Sequence, residues 1–188
     1  MVARAEAAAA TRERILGAAV EAFWESPGGQ ISLEEVARRA GVSVQTVIRR
    51  FGGRGGLIAA AGEREAGRVG EQRSRAPVGD PVGAVANLVE HYEETGDRVV
   101  KMLAEEDRVP PLHEIAERGR ELHRRWCARV FAPLLEGRTG VERERRLAQL
   151  VAICDVYTWK LLRRDAGLSR RQTELAMVEL LEPIMKGS

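Results

Sequence analysis

Apolar residues recur along almost the whole chain at intervals of three and four positions, the spacing that places side chains on one side of an α-helix. Alanine, leucine, arginine and glutamate, which favour helix, dominate the same stretches. No convincingly long run alternates apolar and polar residues, as a half-buried β-strand would. The pattern therefore predicts an all-α fold of about nine helices.

The first third of this pattern is divided by residues that begin or end helices. Thr11 is expected to cap the first helix, and Ser32, followed three residues later by Glu35, is expected to form a capping box for the second. Ser43 is expected to cap a third helix over about residues 44–50, and a fourth begins near Arg54.

The segment SLEEVARRAGVSVQTVIRRF at 32–51 has the pattern of a helix-turn-helix. Ala37 is small enough to let two helices cross closely, Gly41 suits a turn that needs positive φ, and Val42 can fill the space between the helices. The polar side of the second helix is then left free. A solvated helical hairpin without a partner is the alternative interpretation.

Arginines on that free side lack acidic neighbours, whereas elsewhere in the chain arginine alternates with glutamate. Glutamine and arginine can bond base edges in a major groove, and threonine and arginine can hold phosphates. An anionic partner is therefore expected. The candidate DNA-binding residues are Ser32, Ser43, Val44, Gln45, Thr46, Arg49, Arg50 and Arg54.

Residues 11–58, TRERILGAAVEAFWE…ISLEEVARRAGVSVQTVIRRFGGRGGLI, resemble the DNA-binding region of TetR-type transcriptional regulators, including Phe51 and Leu57. The resemblance implies a homodimeric repressor whose N-terminal three-helix domain binds a palindromic operator. It also implies a C-terminal helical domain that binds a small molecule and lowers operator affinity. Ile48 and Arg50 stand where the family often has tyrosines, so the operator sequence does not follow from the resemblance.

Two domains are expected: a helix-turn-helix domain over residues 1–54 and an effector-binding and dimerisation domain over residues 55–188. An effector pocket would lie between the long central helix, residues 111–136, and its neighbours. Residues of these types are more often plain core than pocket lining, and that alternative applies to each candidate. The candidates are His91, Tyr92, Met102, Leu103, Trp126, Val130 and Tyr157.

The last two helices, predicted over residues 142–163 and 170–185, carry apolar residues on more than one stripe. Such helices must be covered on two sides, and a second subunit is one possible cover. Burial in a single core is the alternative. The candidate dimer-interface residues are Ile153, Val156, Trp159, Met177, Leu180 and Ile184.

Composition narrows the remaining classes of function. The net charge of +2 means that any DNA affinity must come from local clustering of cations. The two cysteines, Cys127 and Cys154, are expected to be buried free thiols in a reducing compartment. No two of the three histidines have metal-ligand spacing, and no apolar run is long enough for a membrane span.

The expectation is thus a cytoplasmic DNA-binding regulator that needs no cofactor, holds no metal and contacts no membrane. Its partners would be an operator, a second copy of the chain and an unidentified small-molecule effector. Two alternatives stay open: a helix-turn-helix regulator without an effector, and a helical enzyme with an incidental basic helix.

Overall fold

The computed structural model describes residues 2–26, 30–108 and 110–187, and the regular secondary structure over these residues is entirely helical. This confirms the predicted all-α class. The helices are α1 (Val2–Glu25), α2 (Leu33–Ala40), α3 (Val44–Phe51), α4 (Arg54–Ser74), α5 (Pro81–Leu103), α6 (Pro110–Val130), α7 (Gly140–Ile153), α8 (Val156–Lys160) and α9 (Arg170–Lys186). A 3-10 turn (Ala132–Leu135) follows α6, and a π-helical turn (Leu161–Asp165) follows α8.

The chain divides into two compact units, Met1–Arg68 and Val69–Ser188. The sequence-based boundary between residues 54 and 55 would instead give almost all of α4 to the second unit. Leu57 and Ala61, in the first two turns of α4, are buried in the N-terminal core, so this half of the helix belongs to the first unit. The division therefore falls within α4.

Small and branched side chains fill the core of the N-terminal unit. Val36, Val47 and Leu57 are fully buried and bring α2, α3 and the start of α4 together around α1. The first helix begins well before the expected cap. Thr11 lies inside α1, where its hydroxyl donates to the carbonyl oxygen of Ala7 at 2.8 Å. The alanines before Thr11 extend the helix because alanine has the highest helix propensity.

The second unit is a bundle in which α5 contacts α6, α8 and α9. Trp159 of α8 is completely buried, and its indole lies over Gly96 of α5, where the backbone carries no side chain. The indole Nε1 donates to Oε1 of Glu93 at 3.0 Å, so the one polar atom of the ring is satisfied.

The segment expected as one helix over residues 142–163 is interrupted. α7 ends at Ile153, and Asp155 begins α8 by accepting a hydrogen bond from the backbone N–H of Tyr157 at 2.9 Å. The interruption and the following π-helical turn change which residues face inward. Leu161, in the π-helical turn, is therefore 60% exposed.

Candidate nucleic-acid interface

A tight turn joins α2 to α3. Gly41 has φ of +65°, which L-residues with side chains rarely adopt, and its N–H contacts the carbonyl oxygen of Arg38 at 3.3 Å. The N–H of Val42 donates to the carbonyl oxygen of Ala37 at 3.0 Å, which closes the turn. The hydroxyl of Ser43 then accepts from the N–H of Thr46 at 3.2 Å and caps α3. The predicted helix-turn-helix is present.

The cap of α2 differs from the expected capping box. Ser32 accepts from the N–H of Glu35 at 3.3 Å, but the Glu35 carboxylate bonds Arg38 and Arg39 rather than the backbone of Ser32. Those two guanidinium groups hold the pKa of Glu35 at about 2. The acid therefore fixes the side chains of α2 instead of completing the box.

The residues of α3 fall into an inner and an outer set. Val47 is fully buried, and Val44 is half-buried against the same core. Gln45, Arg49 and Arg50 are exposed on the outer side. The helix therefore offers polar and cationic side chains to a partner while its apolar side anchors it.

The remaining candidates have mixed positions. Ser32 and Ser43 are exposed, although their hydroxyls also cap helices. Thr46 is half-buried, and its hydroxyl lies 2.9 Å from that of Ser43. Arg54 is exposed at the start of α4. Val44 is half-buried against the core, so it offers less surface than the exposed candidates.

The outer side of α3 is cationic and contains no acid. No aspartate or glutamate occurs between Glu35 and Glu63 in the sequence. Over the described residues, neither Arg49 nor Arg54 forms an ion pair, whereas Arg39 is paired with Glu25 and Glu35. Positive charge therefore accumulates locally in a chain whose total charge is nearly zero.

Two further features belong to this surface. Arg50 donates to the carbonyl oxygen of Ala8 at 3.3 Å, which brings the early turns of α1 beside the end of α3. Ile48 is 38% exposed next to the arginines, so an apolar group is available for contact with a base. The unbroken alanine run before Thr11 was the signal that α1 starts early.

The candidate pocket residues of the second unit do not line one open pocket. His91, Tyr92, Trp126 and Val130 are buried in the core, whereas Tyr157 is 47% exposed and does not belong with them. Met102 and Leu103 are half-buried near the end of α5. A surface pocket of about 270 Å³ lies elsewhere, against α7 and α9, and is lined by Glu142, Arg145, Arg146, Gln149, Pro183 and Ile184.

Arg73 lies against the rings of Tyr92 and Trp126, and the sequence analysis did not identify it. Its guanidinium carbon lies 5.2 Å from the centre of the Tyr92 ring and 4.9 Å from that of Trp126. In the sequence, Arg73 is in helical phase with Val69 and Ala76, four residues before and three after. An arginine at an inward-facing position of a helix was the signal in the sequence that could have identified this residue.

The residues of the candidate dimer interface differ in how far they are buried within one chain. Val156, Trp159, Met177 and Ile184 are buried within the same chain, so their side chains leave almost no surface for a second subunit. Ile153 is half-buried, and Leu180 is 48% exposed. In α9 the buried stripe is Thr173, Met177, Leu181 and Ile184, which turns Leu175 outward to 57% exposure.

The described residues lack two other kinds of site. No group of three or more histidine, cysteine or acidic side chains in that part of the chain is placed to hold a metal ion. None of the helices described there combines the length and apolar character needed to cross a membrane.

Comparison with known proteins agrees with this geometry. Residues 15–61 match the family model of bacterial regulatory proteins of the tetR family. Comparison with curated proteins gives no match. Among solved structures, a transcriptional regulator from Rhodococcus sp. Rha1 has a TM-score of 0.67 at 23% identity, over 94% of this chain and 96% of that one.

Two TetR-family regulators from Streptomyces coelicolor are also similar in fold. One has a TM-score of 0.67 at 17% identity, over 93% of this chain and 82% of its own. The other has a TM-score of 0.56 at 20% identity, over 95% and 96%. At these identities the structures establish the shared fold. Over residues 15–61, which include the helix-turn-helix, the chain is similar to bacterial regulatory proteins of the tetR family, and the shared fold extends this similarity over most of its length.

Proposed function

We propose that this regulator is a repressor that binds a palindromic operator as a homodimer and is released by a small-molecule effector. The observation that carries the proposal is the acid-free cationic side of α3, anchored by the buried Val47 and flanked by Arg54. A regulator of this kind works where the chromosome is, which places it in the cytoplasm.

The individual contacts follow from the chemistry of the exposed side chains. Gln45 and Arg49 lie on the outer side of α3 and are assigned to base edges in the major groove. Arg50 and Arg54 are assigned to phosphates, as are the backbone N–H groups at the start of α4. Ser32, Ser43 and Thr46 lie close enough in sequence to these residues to add hydroxyl contacts. Ile48 is assigned to a thymine methyl group.

Dimerisation supplies the second reading helix, because TetR regulators act as dimers. The π-helical turn and α9 are in contact, and their combined surface exposes Leu161 on the turn and Leu175 and Leu180 on different sides of α9, with Tyr157 one helical turn before Leu161. We assign this surface to the dimer interface, since it exposes several large apolar side chains. It replaces the buried residues first expected there.

The proposed switch depends on the spacing of two α3 helices, which must lie about 34–36 Å apart to enter successive major grooves. α4 carries residues of both compact units. An effector bound in the second unit would act through α4, and it would release DNA only if it bound better to a dimer with the wrong spacing.

The assignment of base and phosphate contacts predicts different effects of single substitutions. Gln45→Ala is expected to relax sequence preference, with a loss of about 1–3 kcal/mol on the operator and little loss on unrelated DNA. Arg54→Ala is expected to weaken binding to every duplex about equally and to lower the slope of log affinity against log salt by about 1. The measurement is a gel shift over a range of salt concentrations.

The operator for this experiment is obtained by sequencing the genomic DNA that the purified protein retains. Wild-type protein that retains no DNA at low salt would contradict the proposed function. Gln45→Ala and Arg54→Ala variants with the same pattern of losses would contradict the contact assignment alone.

The assigned dimer surface predicts that Leu161→Glu combined with Leu180→Glu converts the dimer to a monomer, because two charges would have to be buried at the interface. Sedimentation velocity measures the change. Val141→Glu is the matched control, since Val141 is apolar and 80% exposed but lies on α7. A double variant that sediments as wild type would exclude this surface.

A further inference from the structure

Arg73 is a cation in the interior of the second unit. It lies in the last turn of α4, only 7% of its surface is exposed, and its guanidinium lies between the rings of Tyr92 and Trp126. Those rings are themselves buried, with 5% and 4% exposure. Arginine is rarely buried to this extent without a charged partner.

The chain compensates the guanidinium only in part, through the two rings and a side-chain hydrogen bond with Tyr92. Its Nε and Nη1 atoms are buried and form no hydrogen bond, and Arg73 takes part in no ion pair among the described residues. The faces of two aromatic rings attract a cation, but they leave the N–H donors unpaired. Buried N–H donors without an acceptor are destabilising, so an acceptor bound at Nε and Nη1 would stabilise this arrangement.

The backbone of Arg73 is held independently of its side chain. Its carbonyl oxygen accepts one hydrogen bond from Nε1 of Trp126 and another from Nη2 of Arg129, both at 3.0 Å. These bonds connect the end of α4 to α6 without the guanidinium. The side chain is therefore not needed to hold the two helices together.

The surroundings of the guanidinium indicate the kind of ligand. The imidazole of His123 stacks on the Trp126 ring, with ring centres 6.0 Å apart, and its Nδ1 is also buried without a hydrogen-bond partner. Aromatic and aliphatic core residues make up the rest of the neighbourhood. A carboxylate can accept two parallel hydrogen bonds from a planar guanidinium group, and the apolar part of a ligand can pack against the aromatic rings.

Cys127 offers a competing explanation from within the chain. A hydrogen bond from Cys154 lowers the pKa of Cys127 to about 6, and the charges of His123 and Arg73 contribute. A Cys127 thiolate could then serve as the counter-ion of Arg73. The test below separates this explanation from an external anion.

We propose that Arg73 binds the carboxylate of the effector, which is a small organic acid with an apolar body. This inference rests on the proposed function and adds the chemical class of the effector. Because the rings of Tyr92 and Trp126 close over the guanidinium, admission of the acid requires the end of α4 to move from α6. Leu57 and Ala61 of the same helix lie in the core of the DNA-binding unit, so the ligand acts directly on the helix that the switch uses.

The test measures thermal unfolding with benzoate, phenylacetate, hexanoate and octanoate, each compared with its uncharged primary amide. At least one acid is expected to raise the melting temperature of the wild type by about 4 °C or more at saturation, and its amide is not. Arg73→Met is expected to melt at the same temperature as wild type or higher without ligand, and to lose the response to the acid. Arg75→Met, which removes an exposed arginine two residues away, is the matched control and should keep the response.

Three results would overturn the proposal. The first is that no acid stabilises the wild type more than its amide does. The second is that the Arg73→Met variant, without ligand, melts at a lower temperature than the wild type. The third is that the Arg73→Met variant keeps the response to the acid. A Cys127→Ala substitution that lowers the melting temperature only when Arg73 is present would also overturn it, because the thiolate would then be the counter-ion. The melting experiments use no DNA, so failure of wild type to bind DNA would overturn the proposed function separately.

Discussion

The triple substitution Arg49→Ala, Arg50→Ala and Arg54→Ala is expected to reduce affinity for duplex DNA on the order of 100-fold or more. Each contact between an arginine and DNA contributes about 1–3 kcal/mol to binding. All three arginines are exposed and none is part of the helical core, so the N-terminal unit should keep its stability. The slope of log affinity against log salt should fall by about 0.9 for each phosphate contact removed. Fluorescence anisotropy with a labelled duplex measures both quantities.

A matched control removes the same charge elsewhere. Arg118, Arg124 and Arg125 are exposed on α6 in the second unit, and each is ion-paired with a glutamate. Replacing these three by alanine changes the net charge equally and should leave DNA affinity nearly unchanged. Equal losses in the two triple variants would mean that total charge, not the surface of α3, determines binding.

Gly96→Ala is expected to destabilise the second unit by about 1–3 kcal/mol, as overpacking a close-packed core does. A Cβ at position 96 would lie 2.4 Å from Cζ3 and 2.7 Å from Cη2 of Trp159. The indole has nowhere to move without loss, because it is completely buried and its Nε1 is bonded to Glu93. Denaturant-induced unfolding followed by tryptophan fluorescence measures the change.

Gly119 provides the control for this substitution. It is an exposed glycine within α6, and a Cβ added there would meet nothing within 4 Å. Gly119→Ala should therefore stabilise the protein by about 0.5–1 kcal/mol, because alanine loses less conformational freedom in a helix. If Gly96→Ala had the same stabilising effect, the described contact between α5 and α8 would be incorrect.

The helix-turn-helix could be predicted closely because its determinants are local. Ser43 caps the helix that follows it, and Gly41 adopts the positive φ that its position in the turn requires. The inward position of Val47 follows from helical spacing alone. Each of these properties depends on residues within a few positions in the sequence.

The second unit was less predictable because α9 has two apolar stripes of similar strength. Packing against α5 and α7 selects the stripe with Met177, and this choice depends on residues far away in the sequence. The interruption before α8 also depends on distant contacts, and it leaves Trp159 buried and Leu161 exposed. Arg73 was missed because helical phase shows that a residue faces inward, but not which rings surround it.

The hydrogen bond from Arg50 to the carbonyl oxygen of Ala8 has a practical consequence for biochemistry. The part of α1 around Ala8 lies beside the arginine-bearing end of α3, so an affinity tag fused on the N-terminal side of α1 would lie near this cationic surface. A polyhistidine tag there would add its own protonatable groups to that surface below about pH 6.5. Binding measurements are better made with the tag at the other terminus or after its removal.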